Sequence, residues 1–318
     1  MGASAQVKSF NAEKDVPDLS GKVVLITGGN RGLGKEVALA IARKNPEKIF
    51  MTVRSIEGSK SALELIGSQS QHTKIIPLQC DLSSLSTVQK AGENFRAQAS
   101  RLDLVICSAG IMIPPPSLTK DGYEVQFGTN HLGHALLIQS LLPVMLLTAK
   151  QPGSDVRLVI FTSQGYMMHP NGGILFDKLR TRQDDLFLAR YQLYGQSKLA
   201  NLLYAFQLAE RHPQITSVSI HPGVIETELV TSQALLDRWF LKLSTIGKKL
   251  TLEEGARNAL WAATADRGKI KNGGYYEPVG VNQDFARWAK DKNLAQELWN
   301  WTEKELEPYK IHDTWSFS

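Results

Sequence analysis

The sequence predicts an α/β fold, a doubly wound and predominantly parallel sheet flanked by helices, in a single domain with a helical lid. Three observations carry this. From residue 20 onward, short β-rich runs alternate with longer helix-like segments. The strand runs are apolar throughout, without the polar alternation of a sheet that faces water, so helices should cover both faces. A glycine-rich turn joins the first strand to the first helix, where folds of this kind receive a phosphate.

The elements follow in order. "KVVLITG", "KIFMTVRS", "TKIIPLQC", "LDLVICSAG", "VRLVIFTS" and "SVSIHPG" read as six strands. Helices are expected at "GKEVALAIARKN", over 83–101 and over about 119–149. After the sixth strand come an amphipathic stretch over 226–248 and a helix over 251–264, whose start Thr251 and Glu254 mark as a capping box. A last short strand, "GGYYEPVG", precedes a tail over 283–308, where Phe285, Trp288, Leu294, Leu298 and Trp299 predict a packed terminal helix. Residues 1–19 read as an N-terminal tail and 20–318 as one domain, with the substrate lid at about 226–250.

Bulk properties narrow the function. A chain of 318 residues with 42% hydrophobic content can fill one large core. The net charge of +5 is spread along the chain with no run of like charges, which speaks against a nucleic-acid partner. Cys80 and Cys107 each end an apolar run and read as reduced, buried thiols, so neither a disulfide framework nor a metal site is expected. No signal segment and no run of ~20 uninterrupted apolar residues is present, so the expectation is a cytoplasmic protein without a membrane span.

"TGGNRGLG", Thr27 to Gly34, opens the first helix. Gly28, Gly32 and Gly34 let the backbone turn tightly and approach a pyrophosphate, which the helix amino end attracts through its N–H groups and dipole. Asn30, Arg31 and Leu33 complete the expected contact set of this loop. The second strand ends on Arg54 with no acid before Glu57. An acid there would hold a free ribose 2′-hydroxyl, whereas a guanidinium accepts a 2′-phosphate, and Arg31 can reach the same group. NADP(H) is therefore expected over NAD(H).

Tyr194 and Lys198 of "YGQSK" stand one helical turn apart. With 8 tyrosines and 22 lysines in 318 residues, chance alone supplies roughly half such a pair, so context must decide. The context is an ordered set: "TGGNRGLG", "ICSAG", "NHLGH", "FTS", "YGQSK" and "HPGVIETEL". With it, residues 20 to about 280 resemble the short-chain dehydrogenase/reductase family, whose fold is the Rossmann arrangement. Within that family the chain looks most like the retinol dehydrogenase and WW-domain oxidoreductase branch.

The resemblance implies a catalytic set of Asn130, Ser163, Tyr194 and Lys198. It places Asp81 and Leu82 against the adenine, Ala109 and Gly110 beside the coenzyme, and Pro222, Gly223, Val224 and Thr227 near the nicotinamide. It also implies that Lys198 holds the nicotinamide ribose and that Asn130 anchors a proton-supplying water. A carbonyl reduced by hydride develops negative charge on oxygen and needs a proton donor there. Tyr194 fits, with its pKa expected to fall from about 10 under a nearby ammonium. Ser163 should orient the same oxygen. His131, His134 and His221 are read as packing or capping residues.

Two departures accompany the resemblance. Cys107 and Ser108 stand where the family often carries two asparagines, so a structural amide contact should be replaced. Tyr194 stands 31 positions after Ser163, a longer gap than in the family's shorter members. Met112, Ile113, Pro114 to Pro116, Met167 and Met168 predict a hydrophobic carbonyl substrate, as do Leu229, Val230, Leu235, Leu236, Trp239, Phe240, Leu243 and Ile246 of the lid. Helices at 131–147 and 199–209 are apolar on most of their circumference, which fits either a homodimer or a monomer covered by the 164–190 insertion. The rival to a carbonyl reductase is a coenzyme-binding protein with a redox-sensing or non-redox role.

Overall fold

The computed structural model describes residues 10–225, 250–283 and 291–310. Eight strands form one sheet in the order β3-β2-β1-β4-β5-β6-β7-β8. They are β1 (Val23–Thr27), β2 (Lys48–Val53), β3 (Lys74–Gln79), β4 (Leu104–Cys107), β5 (Arg157–Phe161), β6 (Thr216–Ile220), β7 (Tyr275–Glu277) and β8 (Val281–Asn282). All neighbours pair in parallel except β7 and β8, an antiparallel hairpin at the edge. The sequence reading took that hairpin for one strand, because β8 has only two residues and no apolar signal. Strand order reverses between β1 and β4, which opens a crevice at their carboxyl ends.

Apolar residues on both sides of each strand explain the layers. Val23 and Leu25 of β1 enter one core cluster while Val24 and Ile26 enter the other. The first cluster lies under α4 (Leu85–Arg96), α6 (Gly133–Ala149), α7 (Ala189–Arg211) and α9 (Lys292–Leu306). The second lies under α2 (Gly32–Ala42) and α8 (Leu252–Thr264). The short helices α1 (Ala12–Asp15), α3 (Lys60–Gly67) and α5 (Val125–Phe127) complete the set. The capping box forms as expected: Thr251 Oγ1 accepts from Glu254 N at 3.1 Å, and Glu254 accepts from Thr251 N at 2.9 Å.

Three boundaries differ from expectation. The segment read as tail delivers Val16 and Leu19 to the core, at 1% and 9% exposure. The helical region begins at Val125 rather than 119, because Glu124 is extended and its carboxylate takes the N–H groups of Gln126 and Phe127. The terminal helix runs from Lys292, after Asp291 caps it, so Leu294, Leu298 and Trp299 fall within it. Phe285, Trp288 and the lid residues of 226–249, Thr227 among them, lie outside the described residues. Val125–Ala149 has the length and mean hydropathy of a membrane-crossing helix. Here that apolarity is spent inside: Leu136, Leu137, Ile138 and Leu141 are at most 1% exposed, each burial worth about 1.5–3 kcal/mol.

Candidate active site

The glycine loop has the shape its residues predict. Gly28 and Gly32 adopt φ of +66° and +53°, which side chains disfavour. A Cβ on Gly34 would stand 2.4 Å from the Gly28 carbonyl, and one on Gly28 would stand 3.1 Å from Ala109. The turn is thus a backbone cradle pressed against the end of β4. Arg31 is the N-cap of α2, so the first N–H groups of that helix face the crevice without partners inside the helix. Asn30 donates to Ser59 at 3.0 Å and fixes the loop to the segment after β2, while Leu33 is partly buried. Arg54 stands exposed just past β2, and among the described residues neither it nor Arg31 has an ion-pair partner. A cradle without side chains beside a helix amino end fits the pyrophosphate of a dinucleotide.

The other described members of the expected contact set stand in the turns that follow β3, β4 and β6. Asp81 Oδ1 accepts from Ser83 N and Oγ at 3.0 and 2.7 Å, which closes a turn after β3. Leu82 is buried, and a Cβ on Gly133 would stand 2.3 Å from its carbonyl, so "NHLGH" needs glycine there. Pro222, Gly223 and Val224 follow β6, with Gly223 at φ +95° and Val224 O accepting from Leu250 N at 2.9 Å. Ala109 and Gly110 lie between β4 and Asn130, whose Oδ1 would be 3.1 Å from a Cβ on Gly110.

Ser163, Tyr194 and Lys198 come together where β5 meets α7. Lys198 Nζ and Asn201 Nδ2 donate to the Phe161 carbonyl at 3.2 and 3.1 Å, and Thr162 Oγ1 donates to Lys198 O at 2.7 Å. These bonds lock the helix onto the strand end. Ser163 then caps a short 3₁₀ turn over Gln164–Met168, its Oγ accepting from Gly165 N at 3.1 Å. Two glycines allow close approach: a Cβ on Gly165 would stand 2.9 Å from the Tyr194 ring, and one on Gly195 2.6 Å from His169 N. As a result Ser163 and Tyr194 meet across the Gly165 turn, and Lys198 Nζ lies 5.7 Å from the centre of the Tyr194 ring.

The electrostatics correct one expectation. Burial pushes the Tyr194 phenol up to about 12, only partly opposed by the Ser163 hydrogen bond. Burial, rather than the charge of Lys198, dominates the phenol's acidity here. Burial acts on the amine as well and pulls Lys198 down to about 8.

Asn130 also does other work than the anchoring of a water. It sits in a π turn over Gly128–Leu132, a deviation frequent at functional sites. Its amide accepts from Ile111 N at 2.8 Å and donates to Ile111 O at 2.9 Å and Ser197 Oγ at 3.0 Å. It therefore clamps the loop after β4 to the tyrosine helix. Ser197 and Gln126 were missed by sequence reasoning; Gln126 accepts from Ile113 N at 2.9 Å and donates to Arg190 O at 2.9 Å, a second clamp of the same kind. Nothing in their local sequence marks them. His131, His134 and His221 are all buried, and burial lowers them to about 3, 4 and 4, so they are neutral rather than acid–base groups.

A phosphate cradle beside a clustered phenol, hydroxyl and amine defines a dinucleotide-dependent oxidoreductase. Comparison with known proteins specifies the group. A family profile described as short chain dehydrogenase matches residues 22–173. An uncharacterized oxidoreductase of Schizosaccharomyces pombe is 38% identical over 304 residues, covering 93% of this chain and 88% of the other. Retinol dehydrogenase 12 of Homo sapiens is 33% identical over 284 residues, covering 89% and 85%. The crystal structure of an uncharacterized protein from Mycobacterium paratuberculosis superposes with a TM-score of 0.70 at 28% identity, covering 94% and 97%. The chain belongs to the short-chain dehydrogenase/reductase family, on its retinol dehydrogenase-like side. It is an oxidoreductase of the kind that acts on alcohol and carbonyl groups with a nicotinamide coenzyme.

Proposed function

We propose that this protein reduces a hydrophobic ketone or aldehyde to its alcohol with NADPH. The observation that carries the reading is the meeting of Ser163, Tyr194 and Lys198 at the end of β5, with Gly165 allowing the close approach. Bound in the cradle, the reduced nicotinamide supplies hydride. Tyr194, protonated at neutral pH because burial holds its pKa near 12, has the proton that the developing alkoxide requires. The Ser163 hydroxyl, already within reach of the phenol, orients the same oxygen. Lys198 keeps its proton at pH 7 and offers positive charge as the phenol's proton leaves. Asp81, Leu82, Ala109, Gly110 and the Pro222–Val224 turn border the coenzyme, and Arg31 and Arg54 take its 2′-phosphate. An apolar group in the turn that Ser163 caps supports a hydrophobic substrate: Met167 is 62% exposed.

Tyr194→Phe tests this directly. Turnover of hydrophobic aldehydes and ketones should fall at least a thousandfold while NADPH still binds. Retained turnover removes Tyr194 from the mechanism, and silence of the parent chain across a broad carbonyl panel, with tight coenzyme binding, favours the non-redox rival. The protein is further proposed to work as a single copy, since α9 lies along α7 and covers much of the face that a homodimer would use: Trp299 stacks on Tyr204 at 5.3 Å and Arg211 sits 4.5 Å from the Trp299 ring.

A further inference from the structure

One buried histidine connects three parts of the crevice. Thr27, the last residue of β1, accepts on Oγ1 from Ala109 N at 3.0 Å. The same Oγ1 lies 2.9 Å from His134 Nε2. His134 Nδ1 lies 2.9 Å from the carbonyl oxygen of Asn130. All three contacts are shielded: Thr27, Asn130 and His134 are 0%, 0% and 2% exposed.

Both ends of this chain are backbone groups, which fixes its direction. An amide N–H can only donate and a carbonyl oxygen can only accept. His134 must then carry its proton on Nδ1, and Nε2 must accept. Thr27 therefore turns its hydroxyl hydrogen toward Nε2 and its lone pair toward Ala109. The sequence runs Ala109 N–H to Thr27 Oγ, Thr27 O–H to His134 Nε2, and His134 Nδ1–H to Asn130 O. Burial and the neighbouring Lys198 keep the ring neutral, with a pKa near 4, so the direction holds at physiological pH. A second proton on the ring would point Nε2–H at Thr27 and leave the buried threonine hydrogen without an acceptor.

We infer that His134 is a positioning residue for the coenzyme crevice, joining the root of the glycine loop, the Ala109–Gly110 segment and the Asn130 turn into one rigid unit. The consequence reaches both halves of the site. Ala109 is the atom group against which Gly28 packs, and Asn130 holds Ile111 and Ser197. Loosening Thr27 or His134 lets the cradle and the catalytic helix shift relative to each other.

The part of this inference that concerns coenzyme affinity rests on the proposed function, so the test has two arms. In the first, the parent protein is labelled with ¹⁵N-histidine and its ring nitrogens are followed between pH 5.5 and 8. One histidine should show a proton on Nδ1 and an acceptor Nε2 throughout, and Thr27→Val should shift that Nε2 signal. In the second, NADPH affinity is measured by nucleotide fluorescence. Thr27→Val, which removes only the hydroxyl from the same shape, should weaken binding about tenfold or more, and Thr27→Ser should restore it to within about threefold. Thr148→Val is the control for general loss of stability. It deletes an equally buried hydroxyl, which accepts from Leu102 N at 2.9 Å and donates to Val144 O at 2.8 Å, and should leave affinity unchanged. A proton found on Nε2 of His134, or Thr27→Val binding NADPH like the parent, overturns the assignment. Should the parent bind no coenzyme at all, the functional reading fails and the tautomer alone decides the role of His134.

Discussion

At the scale of single residues, burial outweighs charge pairing. The sequence identified Tyr194, Lys198 and Ser163 because their order among the motifs is specific, but it misjudged the phenol's acidity, since the number of atoms packed around a hydroxyl is a tertiary property. Lys198 gives the pH dependence a sign. Its value near 8 means that the ammonium is lost as pH rises through about 8, so the kcat of carbonyl reduction should hold between pH 6 and 7 and fall above 8. A rate that climbs across that range in the reductive direction contradicts this. Stability moves oppositely: the folded chain binds fewer protons than the unfolded one between about 8 and the ordinary 10.5, so the cost of burying Lys198 shrinks across that window, and Lys198→Met should flatten the trend in chemical denaturation. At Arg54, exchange for Asp should cut the preference for NADPH over NADH at least tenfold in coenzyme titrations. Unchanged preference would place the 2′-phosphate elsewhere.

At the scale of elements, glycines decide how closely backbone meets backbone. Gly28, Gly32 and Gly34 were legible because a glycine-rich first turn has a known purpose. Gly133, Gly165 and Gly195 were not, since the atoms they admit belong to segments distant in sequence. Gly195→Ala should drive a methyl toward the His169 amide, 2.6 Å away, at a cost of about 1–3 kcal/mol. Circular dichroism should remain that of the parent, while kcat drops at least tenfold as the tyrosine helix is displaced from Ser163; an alanine variant with parental kcat argues that the helix position is tolerant. Periodicity located the long strands and helices well. It failed at β8 and at the start of α5, where a two-residue pairing and a glutamate cap, rather than any apolar repeat, set the boundary.

At the scale of the whole molecule, the unexpected element is α9. Sequence analysis offered the 164–190 insertion as a cover for the apolar helices, whereas the terminal helix takes that place on α7. Trp301 packs at 6.2 Å or less against Tyr123, Phe127 and Phe176, Thr302 meets the buried His131 at 3.0 Å, and Arg180 of the insertion pairs with Glu305 at 2.6 Å. Insertion and terminal helix are thus fastened to each other rather than exchanged. Sedimentation at micromolar concentration should return one species near 35.2 kDa, and a species of twice that mass would refute the single-copy proposal. The position of α9 also orders events at the ribosome. Lys292–Leu306 leaves the exit tunnel after every strand of the sheet, so a nascent chain holds Tyr204 and Phe127 uncovered until that helix has emerged. A stop codon just before Lys292 should therefore be as damaging to yield as one between two strands of the sheet, with chaperones or proteases claiming the unfinished product.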